Sequence, residues 1–445
     1  MSDLPRGAVA RTARLAALPI GFAGRTAWGI GKRLGGKPAE LVAAELQART
    51  AAQLFAVLGE LKGGAMKVGQ ALSVMEAAMP EELAGPYRAT LTRLQEAAPP
   101  MPARTVHNVL ATELGPRWRS TKFQSFSDTP AAAASIGQVH RAVWRDGREV
   151  AVKVQYPGAG DALMSDLTQL ARVARVATAW IPGLDIKPIT DELRSRMGEE
   201  LDYDLEAKNQ RGFVRAFAGD PHFTVPDVLV HSEHVIVSEW VDGTPLSRII
   251  ASGSKAERNR AAALYLEFLL TAPHRAGLLH ADPHPGNFRI TPEGRLAVLD
   301  YGLVNRLPHG LPPEMGSFIS YALAGRADEM ADGLRREGFV KPTVHVDPEA
   351  LLGYLSPFID PLRHESFTFS RPWLRGMAAN LQDMRRPEFL VGLKLNLPPA
   401  YVLIHRVWLG GIGVLCQIGG TVKAREIILG NLPGLIPAII PPPTP

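Results

Sequence analysis

Apolar residues recur at helical spacing over residues 39–61, in a stretch rich in Ala, Leu and Glu, which predicts a helix. The spacing continues from Leu61 to Ser73, but glycines at 63, 64 and 69 interrupt it. Each glycine costs roughly 1 kcal/mol inside a helix, so another element is expected to press close there. Pro80 and Pro86 break the pattern, and short helices are predicted over 87–95 and 104–114, parted by Pro99, Pro100 and Pro102. At 123–126 the pattern turns to β. An Ala-rich loop over 129–138 leads into a strand over 139–144, an Asp146-Gly147 hairpin turn and a return strand over 149–156. Val150, Val152 and Val154 share one packed face of that strand, with Lys153 on the other. Helices are predicted over 161–179 and 188–218, then a strand from His234 that ends in a turn, then a long buried helix over 258–277. A short buried strand follows at 296–299, and helices with Pro- and Gly-marked breaks dominate after Tyr301. No internal repeat is present.

A chain of 445 residues with 46% hydrophobic content holds two or three domains, or one bilobal unit with extensions. The formal net charge of +5 is modest for this length, and no RNA-binding aromatic signature accompanies it, so nucleic acid is not expected as a partner. A single cysteine, Cys416, excludes an internal disulfide framework and a Cys-rich zinc site, and points to a reducing, cytoplasmic compartment. The first 37 residues carry Arg6, Arg11, Arg14, Arg25, Lys32, Arg33 and Lys37 among Ala, Leu and Gly. Such a basic, partly amphipathic arm suits peripheral contact with anionic lipid on the inner face of a membrane; a solvated tail is the alternative reading. Residues 407–422 are apolar but short and Gly-rich, and read as a buried helix rather than a span. The Pro-rich end, 437–445, is expected to be disordered or extended.

The chemistry concentrates in Leu279-His280-Ala281-Asp282-Pro283-His284-Pro285-Gly286-Asn287, followed by Asp300-Tyr301-Gly302. Kinase catalytic loops are written H-R-D-x-x-x-x-N, with D-F-G on the next hairpin. Phosphoryl transfer needs one carboxylate facing the attacking group, and an amide with a second carboxylate holding the metal on the triphosphate. Asp282 fits the first role, and Asn287 and Asp300 the second. Pro283, Pro285 and Gly286 forbid a helix, which makes the segment a shaped loop. The alternation of His280, Asp282 and His284 admits a zinc reading, but that leaves Asn287 and Asp300 unexplained. Upstream, Val150-Ala151-Val152-Lys153 resembles the nucleotide hairpin of kinases, whose lysine holds the α- and β-phosphates. Ala132, Ala133, Ala134, Ser135 and Gly137 form its covering loop, small enough for backbone N–H groups to approach phosphate. A carboxylate on a helix should orient Lys153, and Glu206 is the candidate. Asp202 and Glu206, four apart, share a helical face, whereas Glu200 lies well round from both. Glu239 to Val241 is placed as the hinge, whose backbone holds adenine.

Further motifs carry a resemblance. Lys67-Val68-Gly69-Gln70 matches K-x-G-Q, residues 132–138 resemble an A-A-A-S-I-G-Q loop, and Glu200-Leu201-Asp202 matches E-x-D. With Val150–Lys153, His280–Asn287 and Asp300–Gly302 they stand in the order of the UbiB (ADCK) family of atypical, protein-kinase-like proteins, from about Leu61 to Gly302. The resemblance implies an α+β, bilobal protein-kinase-like fold with an N-terminal helical extension. It implies that Lys67, Gly69 and Gln70 lie over the active site, with Lys67 and Gln70 facing Glu200 and Asp202, and that Lys153 pairs with Glu206. It implies ATP and Mg²⁺ as cofactors, ATPase activity more readily than protein phosphorylation, and a link to isoprenoid-quinone or other lipid metabolism. Tyr301 stands where D-F-G has Phe, an aromatic-for-aromatic change. The expected segments are a basic arm (1–37), a helical extension (38–120), an N-lobe with inserted helices (121–241), a helical C-lobe (242–436) and the Pro-rich tail (437–445). Two rivals are a small-molecule phosphotransferase, against which K-x-G-Q and E-x-D argue, and a non-catalytic nucleotide-gated lipid-binding protein.

Overall fold

A computed structural model describes residues 100–134, 136–160, 198–199, 201–383 and 385–444. The arm at 1–37, the stretch 38–99 with Lys67, Gly69 and Gln70, the helix expected over 161–179, Ser135 and Glu200 lie outside the described residues. Internal contacts divide the chain into two units, whose described parts are 100–203 with 231–237, and 204–230 with 238–444.

The first unit opens with α1 (Ala103–Leu114) and α2 (Trp118–Lys122). It continues as β1 (Phe123–Ala133), β2 (Gly137–Trp144) and β3 (Glu149–Gln155). These strands belong to a five-stranded sheet of order β1-β2-β3-β6-β5, where β5 is Val228–Ser232 and β6 is Val235–Glu239. Burial of Val150, Val152 and Val154 on one face of β3 drives its docking, and the Asp-Gly turn forms as expected, with Gly147 at φ 93°. The Ala-rich segment, expected as a loop, is mostly strand: Ala132 pairs with Val139 and Ala133 with Gln138. Two register shifts flank Pro130. They let the strand carry a residue without an N–H, and so extend β1 to the hairpin tip.

Residues expected as one helix over 188–218 include a break. Asp202 lies outside helical structure, its N–H turned on the Glu199 carbonyl at 3.2 Å, and α3 runs Tyr203–Ala216. Asp is favoured just before a helix, where it competes with the helical backbone pattern. Asp202 and Glu206 therefore do not share one face of a continuous helix.

In the second unit, short strands β4 (Phe223–Thr224), β10 (Leu296–Val298), β9 (Phe288–Ile290) and β7 (Thr244–Pro245) form a sheet in that order. A second, two-stranded sheet pairs β8 (Leu278–His280) with β11 (Val304–Arg306). After α4 (Leu246–Ser252), α5 (Lys255–Ala276) is the buried axis of this unit. A Ser254–Glu257 capping box starts it, and its buried stripe includes Leu264, Tyr265, Phe268 and Leu269. Helices then follow: α6 (Glu314–Leu323), α7 (Ala327–Arg336), α8 (Pro348–Ile359), α9 (Arg371–Gln382), α10 (Pro387–Lys394), α11 (Pro399–Ile418) and α12 (Ala424–Asn431). By length and composition α11 could cross a membrane, but half of its most apolar stretch is buried inside the protein. The Pro-rich end is not loose up to Thr444. Arg425 binds the carbonyls of Leu362 and Pro441, and the Thr444 N–H donates to the Arg363 carbonyl at 2.7 Å.

Candidate active site

The β8–β11 ladder ends with Val304 opposite His280, and the Ala281 N–H donates to the Leu303 carbonyl at 3.0 Å. Asp282 therefore leaves directly from a fixed strand. The loop after it contains no α-helix but does close one 3₁₀ turn, Pro285–Asn287, a refinement of the expected loop. Proline is tolerated at the first position of such a turn, and His284 Nδ1 accepts the Gly286 N–H at 3.1 Å. Asn287 donates from Nδ2 to the Asp282 carbonyl at 3.2 Å, and its own carbonyl accepts the Leu299 N–H at 2.9 Å. His280 Nε2 reaches the Asp300 carbonyl at 2.6 Å. Asp282, Asn287 and Asp300 are thus joined by backbone-directed bonds, in one unit and around one loop.

His280 is 1% exposed and ringed by Phe213, Phe268, Phe288 and Tyr301. With one ring nitrogen on the Asp300 carbonyl inside this aromatic shell, it ties the strand before Asp282 to the residue that precedes Tyr301. Among the described residues, no group of three or more His, Cys, Asp or Glu side chains is placed to hold a metal. Oxygen donors from one carboxylate and one amide suit a hard cation that retains water and binds phosphate oxygens. Asn287 fits, because its amide nitrogen is committed to Asp282 and its side-chain oxygen is left as the donor atom. Asp300 fits as well: Oδ1 accepts the Gly302 N–H at 3.1 Å, which sets the carboxylate's plane.

Two phenols brace this centre. Tyr265 donates to the Pro283 carbonyl at 2.8 Å, and Tyr301 to the Val298 carbonyl at 2.9 Å. Burial pushes both phenols well above their ordinary range, assisted by the Asp282 carboxylate at Tyr265 and by Asp300 and Glu206 at Tyr301. Both remain protonated donors throughout the physiological range. Glu206, 2% exposed on α3, receives the Tyr301 N–H at 3.4 Å, and Asn209 Nδ2 donates to the Tyr301 carbonyl at 3.3 Å. Helix α3 is therefore tied to the residue after Asp300. Tyr265 and Asn209 were not singled out by motif spacing; Tyr265 is marked only as a polar group within an otherwise apolar helical face, and Asn209 by nothing local.

In the first unit, Lys153 sits opposite Val139, and its ammonium lies 5.2 Å from the centre of the Tyr203 ring. Gln155 Nε2 donates to the Leu201 carbonyl at 3.1 Å, which anchors the E-x-D segment to β3. Gly137 is required by close approach: a Cβ there would lie 2.3 Å from the Val154 carbonyl oxygen. Gln138, 1% exposed, accepts the Met101 N–H at 2.7 Å and contacts His140 Nε2 at 2.8 Å, while His140 Nδ1 bonds the Ser127 carbonyl at 2.8 Å. Burial lowers the His140 pKa, consistent with a neutral ring that donates from Nδ1 and accepts at Nε2. The last residue of the A-A-A-S-I-G-Q motif thus fastens the Ala-rich strand from beneath. At the expected hinge, the Glu239 N–H donates to the Asp227 carbonyl at 2.9 Å, and Arg289 reaches the Val241 carbonyl at 3.5 Å.

A mixed helix-and-sheet fold with a catalytic-loop aspartate, an asparagine five residues on and a D-Y-G strand end defines the kinase-like class. The ABC1 atypical kinase-like domain matches residues 93–332, and the chain belongs to that family. The mitochondrial atypical kinase coq-8 of Caenorhabditis elegans is 30% identical over 376 residues, 79% of this chain and 49% of that protein. The mitochondrial atypical kinase COQ8 of Saccharomyces cerevisiae is 30% identical over 387 residues, 83% of this chain and 73% of that protein. The chain thus spans about half the length of the nematode relative and three-quarters of the yeast one. A solved structure of Rv3197 with erythromycin from Mycobacterium tuberculosis superposes with a TM-score of 0.70 at 42% identity, covering 91% of this chain and all of that one.

Proposed function

We propose that the chain binds ATP with Mg²⁺ and acts as an atypical kinase-like ATPase in the service of isoprenoid-quinone or other lipid metabolism. The observation that carries the reading is the joining of Asp282, Asn287 and Asp300 by bonds that fix their relative positions. In this reading Asn287 and Asp300 hold Mg²⁺, which when bound neutralises charge on the phosphates. Asp282 accepts a proton from, or orients, the attacking water or hydroxyl. The resemblance assigns Lys153 to the α- and β-phosphates and Glu206 to orienting Lys153. Ala132, Ala133, Ala134, Ser135 and Gly137 cover the phosphates, and the Glu239–Val241 backbone holds adenine. Lys67, Gly69 and Gln70, with Glu200 and Asp202, act as a restraint on bulky acceptors.

The erythromycin complex of the mycobacterial relative favours keeping one second reading, a non-catalytic, nucleotide-gated protein that binds lipid or another small molecule. Phosphate release by the isolated protein, with and without anionic liposomes, separates the two. Turnover that Asp282→Asn abolishes while Mg²⁺-ATP binding persists supports the ATPase. Binding without turnover under both conditions supports the binder.

A further inference from the structure

Between α8 and α9 of the second unit lies a cavity of about 380 Å³, lined by none of the residues of the candidate active site. That volume is in the range of small-molecule sites. Helical spacing builds its walls. Trp373, Gly376, Met377 and Asn380 stand at i, i+3, i+4 and i+7 of α9 and so share one face. Ser356 and Asp360, four apart where α8 passes into the 3₁₀ turn Asp360–Leu362, supply the other wall.

The apolar part of the cavity is held in place by the protein itself. The Ser370 hydroxyl caps α9 by accepting the Trp373 N–H at 3.3 Å. Phe367 and Phe369 pack on the Trp373 ring at 77° and 84°, with centroids 5.2 and 5.9 Å away. Met377 is 7% exposed and fixed in the core. The indole and thioether are thus oriented before any ligand arrives. The polar part is not committed elsewhere. Among the described residues the Asp360 carboxylate accepts no hydrogen bond, and His364 Nε2 comes no closer than 3.8 Å to its Oδ1, too far for one. Arg363 Nη2 reaches Ser356 Oγ at 3.5 Å, so this hydroxyl keeps its own proton for a ligand. Arg371 and Arg375 stand on the opposite side of α9, which makes Asp360 the charge of the lining.

Gly376 gives the cavity its meaning. Glycine in the middle of a helix is destabilising relative to alanine. Close approach by a neighbour explains Gly411, where a Cβ would lie 2.6 Å from Leu269. At Gly376 nothing lies within 4 Å of where a Cβ would stand, so packing gains nothing from its absence. The open space beside this glycine is the cavity.

We propose that this cavity binds a small molecule carrying a protonated amine on a flat apolar frame. The ammonium pairs with Asp360, the frame lies along Trp373 and Met377 over Gly376, and Ser356 and Asn380 take polar substituents. An indole face attracts a cation, and the carboxylate supplies its counter-charge. An anion of the same shape would meet Asp360 as a like charge. The site stands apart from the nucleotide reading and does not depend on it.

The test is isothermal titration of the full chain, without nucleotide, with tryptamine, with its neutral isostere tryptophol and with indole-3-acetate. The expected result is saturable one-to-one binding of tryptamine with a Kd below about 1 mM, binding of tryptophol at least about tenfold weaker, and no binding of indole-3-acetate. Asp360→Asn should bring tryptamine down to the level of tryptophol. Gly376→Leu should abolish tryptamine binding by filling the cavity. Its melting temperature should not fall, because the new side chain meets open space and leucine favours the helix. Failure of tryptamine to bind, binding of indole-3-acetate as tight as that of tryptamine, or unaltered tryptamine binding in Gly376→Leu overturns the proposal. Phosphate release from Mg²⁺-ATP, measured separately, reports on the nucleotide reading alone.

Discussion

His280 Nε2 donates to the backbone carbonyl of Asp300 at 2.6 Å, from a ring that is 1% exposed. One buried bond thus joins the strand that launches Asp282 to the strand end that carries Asp300. His280→Ala should remove both the bond and the ring that fills the space between Phe268, Phe288 and Tyr301. The expected loss is about 3 kcal/mol of stability, combining a buried carbonyl left without its donor and an aromatic-sized cavity. Chemical denaturation measures it. A variant as stable as wild type would show that the His280–Asp300 bond contributes nothing net.

Asp300→Asn should abolish Mg²⁺-dependent nucleotide stabilisation while leaving the fold intact. The Gly302 N–H that Asp300 Oδ1 accepts at 3.1 Å can still be accepted by an amide oxygen, so the local turn survives. In the proposed reading the lost charge acts on the metal, and a weakening of at least about tenfold, about 1.4 kcal/mol, is expected. Thermal shift with Mg²⁺-ATP reads it. An undiminished shift in the variant would remove Asp300 from the metal site.

The motifs that were legible in the sequence are those whose spacing is local. Asp282, Asn287 and Asp300 are held by bonds that span only a loop and a hairpin, and the Asp146-Gly147 turn needs only the positive φ of Gly147. What remained hidden depends on distant partners. That Ala132 and Ala133 are strand residues follows from pairing with β2 and from shifts around Pro130, neither visible in an alanine run. The break at Asp202 is hidden in an otherwise helical pattern, because one aspartate that leaves the helical conformation does not alter the periodicity around it. The Pro-rich end looked unable to order itself, and it does not: Arg425 and Arg363, from elsewhere in the chain, hold it. Lys153 over the Tyr203 ring is likewise a tertiary contact that no spacing announces.

Asp220 should give the fold a measurable acid sensitivity. Its side chain is 8% exposed, accepts the N–H groups of His222 and Phe223 at 2.7 and 2.9 Å, and pairs with Arg275, whose guanidinium covers Phe217. Burial pushes this carboxyl up, but the Arg275 and backbone bonds outweigh burial and hold it below its ordinary value. A depressed folded pKa adds stability that is complete above the unfolded value, near 4, and is lost as pH falls through the folded one. Asp220→Asn should cost about 2 kcal/mol at pH 7 by removing a charge-assisted pair. The gap between variant and wild type should stay constant down to about pH 5 and close below about pH 4. Urea titrations at several pH values test this. A gap that persists unchanged in acid would mean that the loss comes from packing and not from the charge.

Gly410 offers the sharpest test of how α11 acts on the catalytic loop. A Cβ at this position would meet the Pro283 ring at 2.8 Å, closer than such atoms approach without displacement. The ring is stiff, and its carbonyl is already held by Tyr265 at 2.8 Å, so the strain passes to the neighbouring Asp282 rather than being absorbed by a rotamer change. Gly410→Ala should therefore reduce nucleotide turnover several-fold. Its melting temperature should change little, because the helix gain of roughly 0.5–1 kcal/mol from replacing glycine by alanine offsets part of the local strain. Gly430, on α12, has open space where its Cβ would be. Gly430→Ala should show the same helix gain with no change in turnover. Equal turnover in the two variants would mean that the loop yields freely to α11, and the mechanical link between that helix and Asp282 would have to be given up.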